Sequence, residues 1–274
     1  MSARVSDLLD ESGIEAREAR LLLAAASGMG TALLAAFPER EIDQSAARRF
    51  AALARRRREG VPIAYILGSR DFYSRSFAVT PDVLIPRPET ELLVELALAR
   101  IPADQGDVCV LDLGTGSGVV AVSIACEAEQ ARVTGIDASA EALAVARGNA
   151  QRLAPEQGLN FVQSDWFSAL AGTRYDLIVG NPPYVGAQDD HLLQGDLRFE
   201  PQAALASGPA GLDAITAICA QAPLHLQPGA WLLLEHGYDQ GAAVRQLLTA
   251  AGLAEVQTWR DLAGIERVSG GRAA

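Results

Sequence analysis

Asn181, Pro182, Pro183 and Tyr184 follow directly on the apolar run Tyr175–Gly180, which reads as a buried strand. Two successive prolines fix the backbone and remove N–H donors, so carbonyl oxygens dominate this corner. The side-chain oxygen of Asn181 and the carbonyl of Pro182 can accept both hydrogens of a planar NH2 group, and Tyr184 offers a face on which to pack it. Nitrogen in such a group is a poor nucleophile, because its lone pair is delocalised into the attached carbonyl or ring. Acceptors that grip the two hydrogens and orient the lone pair are the help it needs. Proximity and orientation toward an electrophile that carries its own activation, such as a sulfonium methyl, then suffice for in-line displacement. No conventional general base is required, and none is evident: His191, His225 and His236 are scattered and read as structural or exposed.

A second set lies upstream. The strand predicted at Val108–Leu113 runs through Gly114, Thr115, Gly116, Ser117 and Gly118 straight into a helix. Glycines there permit a tight turn, leave room for a ligand against the backbone and aim helix-terminal N–H groups at it. About 20 residues further on, the next strand ends in Asp137, where a carboxylate can accept both hydroxyls of a ribose. A third strand leads into Ser164, Asp165, Trp166 and Phe167, of which Trp166 could border an adenine ring or pack in the core. The set points to an adenosine-containing ligand and leaves open whether that is a nicotinamide dinucleotide or S-adenosylmethionine.

The elements that must position these residues can be read from periodicity. Residues 1–68 carry short helical patterns around Leu8 and Leu9 and over 19–26, 32–37 and 46–58, broken by Gly13, Gly28, Gly30, Pro38 and Gly60. This is a small all-helical domain. Residues 69–84 read as a β-hairpin linker, with Phe72, Tyr73, Phe77 and Val79 leaning to strand. From residue 85 to 274 strands alternate with helices. Helices are predicted at 89–99, 119–125, 140–152, 214–222 and 240–250, and strands at 108–113, 132–137, 159–163, 175–180 and 230–235. Two last strands, 254–259 and 266–269, are too close for a helical crossover and should pair antiparallel. The expected architecture is α/β: a Rossmann-like, mostly parallel seven-stranded sheet with an antiparallel edge strand, preceded by the helical domain.

Composition narrows the function classes. The 274 residues are 49% hydrophobic and carry a formal net charge of -11, which argues against a broad nucleic-acid surface. Arg55, Arg56, Arg57 and Arg58 form a local basic patch at a helix end, either a solvated terminus or a contact for an acidic partner. No apolar stretch reaches the ~18 residues a membrane helix requires, and the residues from Met1 to Asp7 lack a signal-peptide layout, so a cytoplasmic protein is expected. Cys109, Cys126 and Cys219 lie in apolar runs and are expected to be buried reduced thiols, with no metal site.

On these motifs the chain resembles the class I methyltransferases that modify planar NH2 nitrogens. Within them it is most similar to the release-factor glutamine methyltransferases, the HemK or PrmC family. The resemblance spans nearly the whole chain, including the helical domain, Ile85, Pro86, Arg87, Pro88, Glu89, Thr90 and Glu91, the glycine loop, residues 181–184, Phe199, Glu200 and Pro201, and residues 208–212. It implies that Gly114, Thr115, Gly116, Ser117, Gly118, Asp137, Trp166 and Asn181 hold S-adenosyl-L-methionine. It also implies that Asn181, Pro182, Pro183 and Tyr184 are catalytic and hold a substrate glutamine, that of the Gly-Gly-Gln loop of class 1 peptide chain release factors. The helical domain would help dock that partner, and a monomer is expected. Residues 85–91 look like the release-factor branch and not the branch that acts on a ribosomal protein; Arg87, Glu89 and Glu200 would structure a loop or touch a ligand. Three rivals stand beside this reading. An amino-methyltransferase acting on DNA adenine or ribosomal RNA guanine would need to extract its base and grip flanking nucleic acid, for which the chain has little equipment. A non-catalytic module would have no need of both motifs. A nicotinamide-dependent oxidoreductase has no use for an acceptor-lined amine grip.

Overall fold

The computed structural model describes residues 3–102 and 106–274; Met1 and Ser2, where the reading of the amino terminus begins, lie outside the described residues. The chain divides into two units, one made of Met1–Ser69 with Leu193–Phe199, the other of Arg70–Leu192 with Glu200–Ala274.

The first unit holds α1 (Val5–Asp10), α2 (Ala16–Ser27), α3 (Thr31–Ala36), α4 (Gln44–Arg58) and α5 (Ile63–Leu67). Glu15 caps α2 by accepting from the Glu18 N–H, and Gly28 closes it in the left-handed conformation. Its Ala19, Leu22, Leu23 and Ala26 fall on one face at helical spacing and pack with Phe50 and Ala54 of α4. Asp43 caps α4 by accepting from Ser45 and Ala46. At the other end of α4, Arg55 and Arg56 are exposed, but Arg57 turns inward. Its guanidinium donates to both carboxylate oxygens of Glu18 (2.7 and 2.8 Å) and to Asp196 (2.8 Å), and Arg58 donates to the Ser12 carbonyl. Helical spacing does not reveal α5, nor the two-residue antiparallel pair of β1 (Ala3–Arg4) with β2 (Glu41–Ile42) that the unit carries beside its helices.

The second unit begins with a hairpin, β3 (Ser69–Phe72) and β4 (Arg75–Ala78), whose Phe72 and Phe77 are buried in the core of that unit. Next come α6 (Glu91–Leu98), β5 (Val108–Leu113), α7 (Val119–Glu127), β6 (Ala131–Asp137), α8 (Ala140–Leu153), β7 (Asn160–Gln163) and β8 (Tyr175–Gly180). After a loop region come α9 (Asp213–His225), β9 (Leu226–Glu235), α10 (Gly241–Ala250), β10 (Ala254–Arg260) and β11 (Glu266–Arg272). The seven strands lie in the order β10-β11-β9-β8-β5-β6-β7. Strands β7, β6, β5, β8 and β9 are parallel, and β11 runs antiparallel to both β9 and β10. The strand of reversed direction thus sits one place in from the edge.

Strand alternation splits the core between the two faces of this sheet. Val110, Val179 and Leu233 pack with α6 and α7, while Leu111, Leu113, Ile178, Leu232 and Leu234 pack with α9 and α10. Two residues further along the first face are Asp112, Asn181 and Glu235, at the carboxyl ends of the adjacent strands β5, β8 and β9. That edge is where open α/β sheets bind ligands. The expectation that all three cysteines are buried fails for Cys109, which is exposed, whereas Cys126 is half-buried and Cys219 buried. Cys109 alternates out of the valine face near the amino end of β5, and its N–H is bound by the Asp176 carboxylate, so the apolar run around it does not guarantee cover.

Candidate active site

The glycine loop is built by conformational necessity. Gly114, Gly116 and Gly118 all have positive φ (67, 55 and 81°), a region that carries a steric penalty for other residues. At Gly118, the N-cap of α7, a Cβ would also lie 3.1 Å from the Ala146 Cβ of α8. The turn is anchored from below by Asp112, which is 1% exposed and accepts from the Thr115 hydroxyl (2.6 Å) and the Ala121 N–H (3.2 Å). Burial pushes this acid up to about 7. Asp137 accepts from the Gly116 N–H at 2.9 Å and the Ser139 N–H at 2.9 Å, one on each oxygen, so its carboxylate is oriented before any ligand arrives. Asn149 of α8, fully buried, donates to the Ser117 carbonyl and exchanges hydrogen bonds with the backbone of Ala78, tying loop, helix and hairpin together. Trp166 adopts positive φ (46°), with its ring 3.8 Å from where a Gly114 Cβ would stand. It also packs on the α9 side of the core, so the two roles weighed for it are compatible.

At the neighbouring strand end, Gly180 lets β8 approach β5 closely, since a Cβ there would come within 3.1 Å of Leu113. Asn181 follows and donates through Nδ2 to the Thr90 hydroxyl at 3.2 Å. The Tyr184 hydroxyl donates to Glu235 at 3.3 Å, and its carbonyl accepts from Gln240 at 2.9 Å. Burial, then the Glu235 charge, drives the Tyr184 phenol well above its ordinary range. Glu235 is 1% exposed, and burial pushes it up to about 7 against the opposing pull of the Thr90 and Tyr184 hydroxyls. Gly211 must be glycine: φ is 71°, and a Cβ would sit 2.0 Å from the Tyr184 carbonyl. Segment 85–91 is organised by Glu200, which is 4% exposed, accepts from the Ile85 N–H at 3.0 Å and pairs with Arg87 at 2.6 Å.

One cavity of about 440 Å³ opens between these features. Of the residues singled out by motif, Gly114, Thr115, Gly116, Ser117, Asp137, Trp166, Asn181 and Pro183 line it. Gly118, Pro182 and Tyr184 do not: the first caps α7, the second is buried, and the third is engaged with Glu235. Arg87, Thr90 and Asp112 also line it. Thr90 and Glu235 went unnoticed as site residues, because each belongs to a different element and neither stands in a motif with Asn181. The histidines stay out: His191 is exposed beside Asp189, His225 stacks on Phe167, and His236 is buried against Gly237 and Ser269. Among the described residues, no cluster of His, Cys, Asp and Glu could hold a metal ion.

Comparison with known proteins places the chain in a family. Residues 2–68 match the family model described as the PrmC N-terminal domain, and residues 89–208 match the methyltransferase small domain. A release factor glutamine methyltransferase of Burkholderia pseudomallei (strain K96243) is 51% identical over 275 residues, 98% of this chain and 96% of that one. The chain belongs to the release factor glutamine methyltransferases. A second member of the family, from Bordetella pertussis, is 51% identical over 97% of this chain and 98% of its own length. At the level of fold, the crystal structure of a methyltransferase from Pyrococcus furiosus aligns with a TM-score of 0.55 at 15% identity, over 73% of this chain and 90% of that one.

Proposed function

We propose that the chain transfers a methyl group from S-adenosylmethionine to the side-chain amide nitrogen of the glutamine in the Gly-Gly-Gln motif of class 1 peptide chain release factors. The observation that carries this is the Asn181 side chain: its amino end is bound to Thr90, and the residue opens on the same cavity as the glycine loop and Asp137. The cavity volume falls in the range of about 300–1,000 Å³ usual for small-molecule sites. Its acceptors fit the cofactor, since two buried or oriented carboxylates, Asp112 and Asp137, border space that a cation and a ribose would share.

S-adenosylmethionine supplies a methyl carbon activated by the positive charge on sulfur. Gly114, Thr115, Gly116 and Ser117 line the floor that would receive it, Gly118 caps α7 behind them, Asp137 would take the ribose, and Trp166 would border the adenine. Asn181 lines the cavity beside Pro183, and its Oδ1 accepts one amide hydrogen of the substrate; the carbonyl of Pro182, a buried residue outside the lining, is the acceptor for the second. This orientation, not proton removal by a base, is what the protein contributes to attack.

The helical unit, residues 1–68 by the sequence reading, docks the protein substrate. The enzyme works as a monomer in the cytoplasm and does not bind DNA; the net charge of -11 supports the last point. No helix among the described residues is long and apolar enough to cross a membrane. Purified protein with labelled S-adenosylmethionine should label a release factor and should fail to label one whose Gly-Gly-Gln glutamine is replaced. In the same assay, Asn181→Ala should bind cofactor normally but transfer methyl at least ~100-fold more slowly. Labelling of DNA, ribosomal RNA or a ribosomal protein in place of the release factor would refute the substrate assignment.

A further inference from the structure

An asparagine side chain presents an acceptor at one end and two donors at the other, and half a rotation exchanges them with little change of shape. Only one orientation serves a carboxamide substrate: Oδ1 of Asn181 must face the substrate NH2, since the opposite rotamer would set donors against donors. The Thr90 hydroxyl does not decide this by itself. It accepts from Nδ2 at 3.2 Å, yet a hydroxyl could equally donate to Oδ1 in the flipped state. The orientation is determined only if the hydroxyl hydrogen is committed elsewhere.

Glu235 is the group placed to supply that commitment. It sits at the end of β9, 1% exposed, where its carboxyl receives the Tyr184 hydroxyl at 3.3 Å and the nearby Thr90 hydroxyl favours its ionised form. Its Oε2 is buried with no hydrogen-bond partner among the described residues, so the carboxyl has acceptor capacity to spare. An ionised carboxylate can only accept.

We propose that Thr90 and Glu235 are positioning residues that set the polarity of Asn181: the Glu235 carboxylate takes the Thr90 hydrogen, Thr90 Oγ1 must then accept from Asn181 Nδ2, and Asn181 Oδ1 is held toward the substrate amide. The inference rests on the reading of this corner as a glutamine holder. It adds a one-way chain of hydrogen bonds, all within the second unit, that runs from Asn181 through Thr90 to Glu235.

The test is a double-mutant cycle on the full chain, with release factor as substrate and saturating S-adenosylmethionine. Glu235→Gln keeps an acceptor for Tyr184 but adds an NH2 that can donate to Thr90 and release the Asn181 orientation. Thr90→Val removes the hydroxyl at nearly constant shape. Each single variant should lower kcat by about tenfold or more, with cofactor Kd changed by less than about twofold. The double variant should be no worse than the poorer single, and Thr90→Ser should recover most of what Thr90→Val loses. Wild-type kcat in either single variant, multiplying losses in the double, or a loss expressed mainly in cofactor Kd would each overturn the relay. A wild-type enzyme that leaves the release factor unlabelled would instead sink the underlying reading, and the relay with it.

Discussion

Asp112 and Glu235 end their strands as acids almost without water around them, and both are pushed up to about 7 by burial. A carboxyl raised in the folded state contributes stability that is fully present below its unfolded value and is lost as pH rises through the folded value. For Glu235 that window runs from its ordinary 4.5 to about 7. The groups facing it are the Thr90 and Tyr184 hydroxyls, Arg267 on β11, which favours ionisation, and Glu89, which opposes it. The positioning role needs the ionised form, so turnover and stability should respond to pH with opposite sign. At saturating cofactor, kcat should rise through pH about 7 in the wild type, and that limb should vanish in Glu235→Gln. The melting temperature of Glu235→Gln should gain on the wild type between about pH 4.5 and about pH 7. A pH–rate profile and calorimetry measure the two, and identical profiles in both proteins would rule this account out. Asn181 and the glycine loop were legible because each motif is contiguous. Thr90 lies 91 residues from Asn181, and Glu235 lies 51 from Tyr184, distances at which only folding brings side chains together.

Elements were legible in proportion to their periodicity. The long helices and the central strands declare themselves through alternating or helically spaced apolar residues, and their order along the chain implies the parallel sheet. Strands β1 and β2, two residues each, carry no period to read. The start of β9 was hidden by Gln227, Pro228 and Gly229, which look like a turn. They lie within the strand because β8 pairs through an irregularity, Tyr175 with Leu226 and then Leu177 with Trp231. The β3–β4 hairpin is joined by Tyr73 and Ser74, both at positive φ (47 and 59°), as a two-residue turn of this hand requires. Neither is the Asn or Gly that tolerates it. Tyr73 is retained by packing on the core and by Glu91, which accepts from its N–H at 2.8 Å. Ser74 is exposed and has no such compensation. Ser74→Gly should therefore raise the melting temperature by about 1–2 °C, relief of strain outweighing the added freedom of the unfolded chain. Differential scanning fluorimetry reads the change, and a fall would show that Ser74 is not strained.

At the scale of the whole molecule, the division into a helical and a mixed unit could be anticipated from the change in pattern near residue 69, since helical spacing gives way there to β-leaning aromatics. What could not be anticipated is that Leu193–Phe199 joins the helical unit. Nothing in that stretch is helically amphipathic, and its membership rests on partners far away in sequence, such as Asp196, which lies 139 residues from Arg57. For the docking role, removal of residues 1–68 should raise KM for the release factor by about tenfold or more while cofactor Kd stays within about twofold. Isothermal titration with cofactor and steady-state kinetics separate the two effects, and parallel losses would assign the unit to folding rather than docking.

The seven residues 193–199 also decide what a single backbone nick can do. Cleavage at Gly68 would not release a free-standing amino-terminal domain. The liberated fragment would still lack the carboxylate that binds Arg57, because Asp196 remains on the other polypeptide. The two pieces should behave as complementing fragments, each carrying part of one folded body, and should reassociate when mixed.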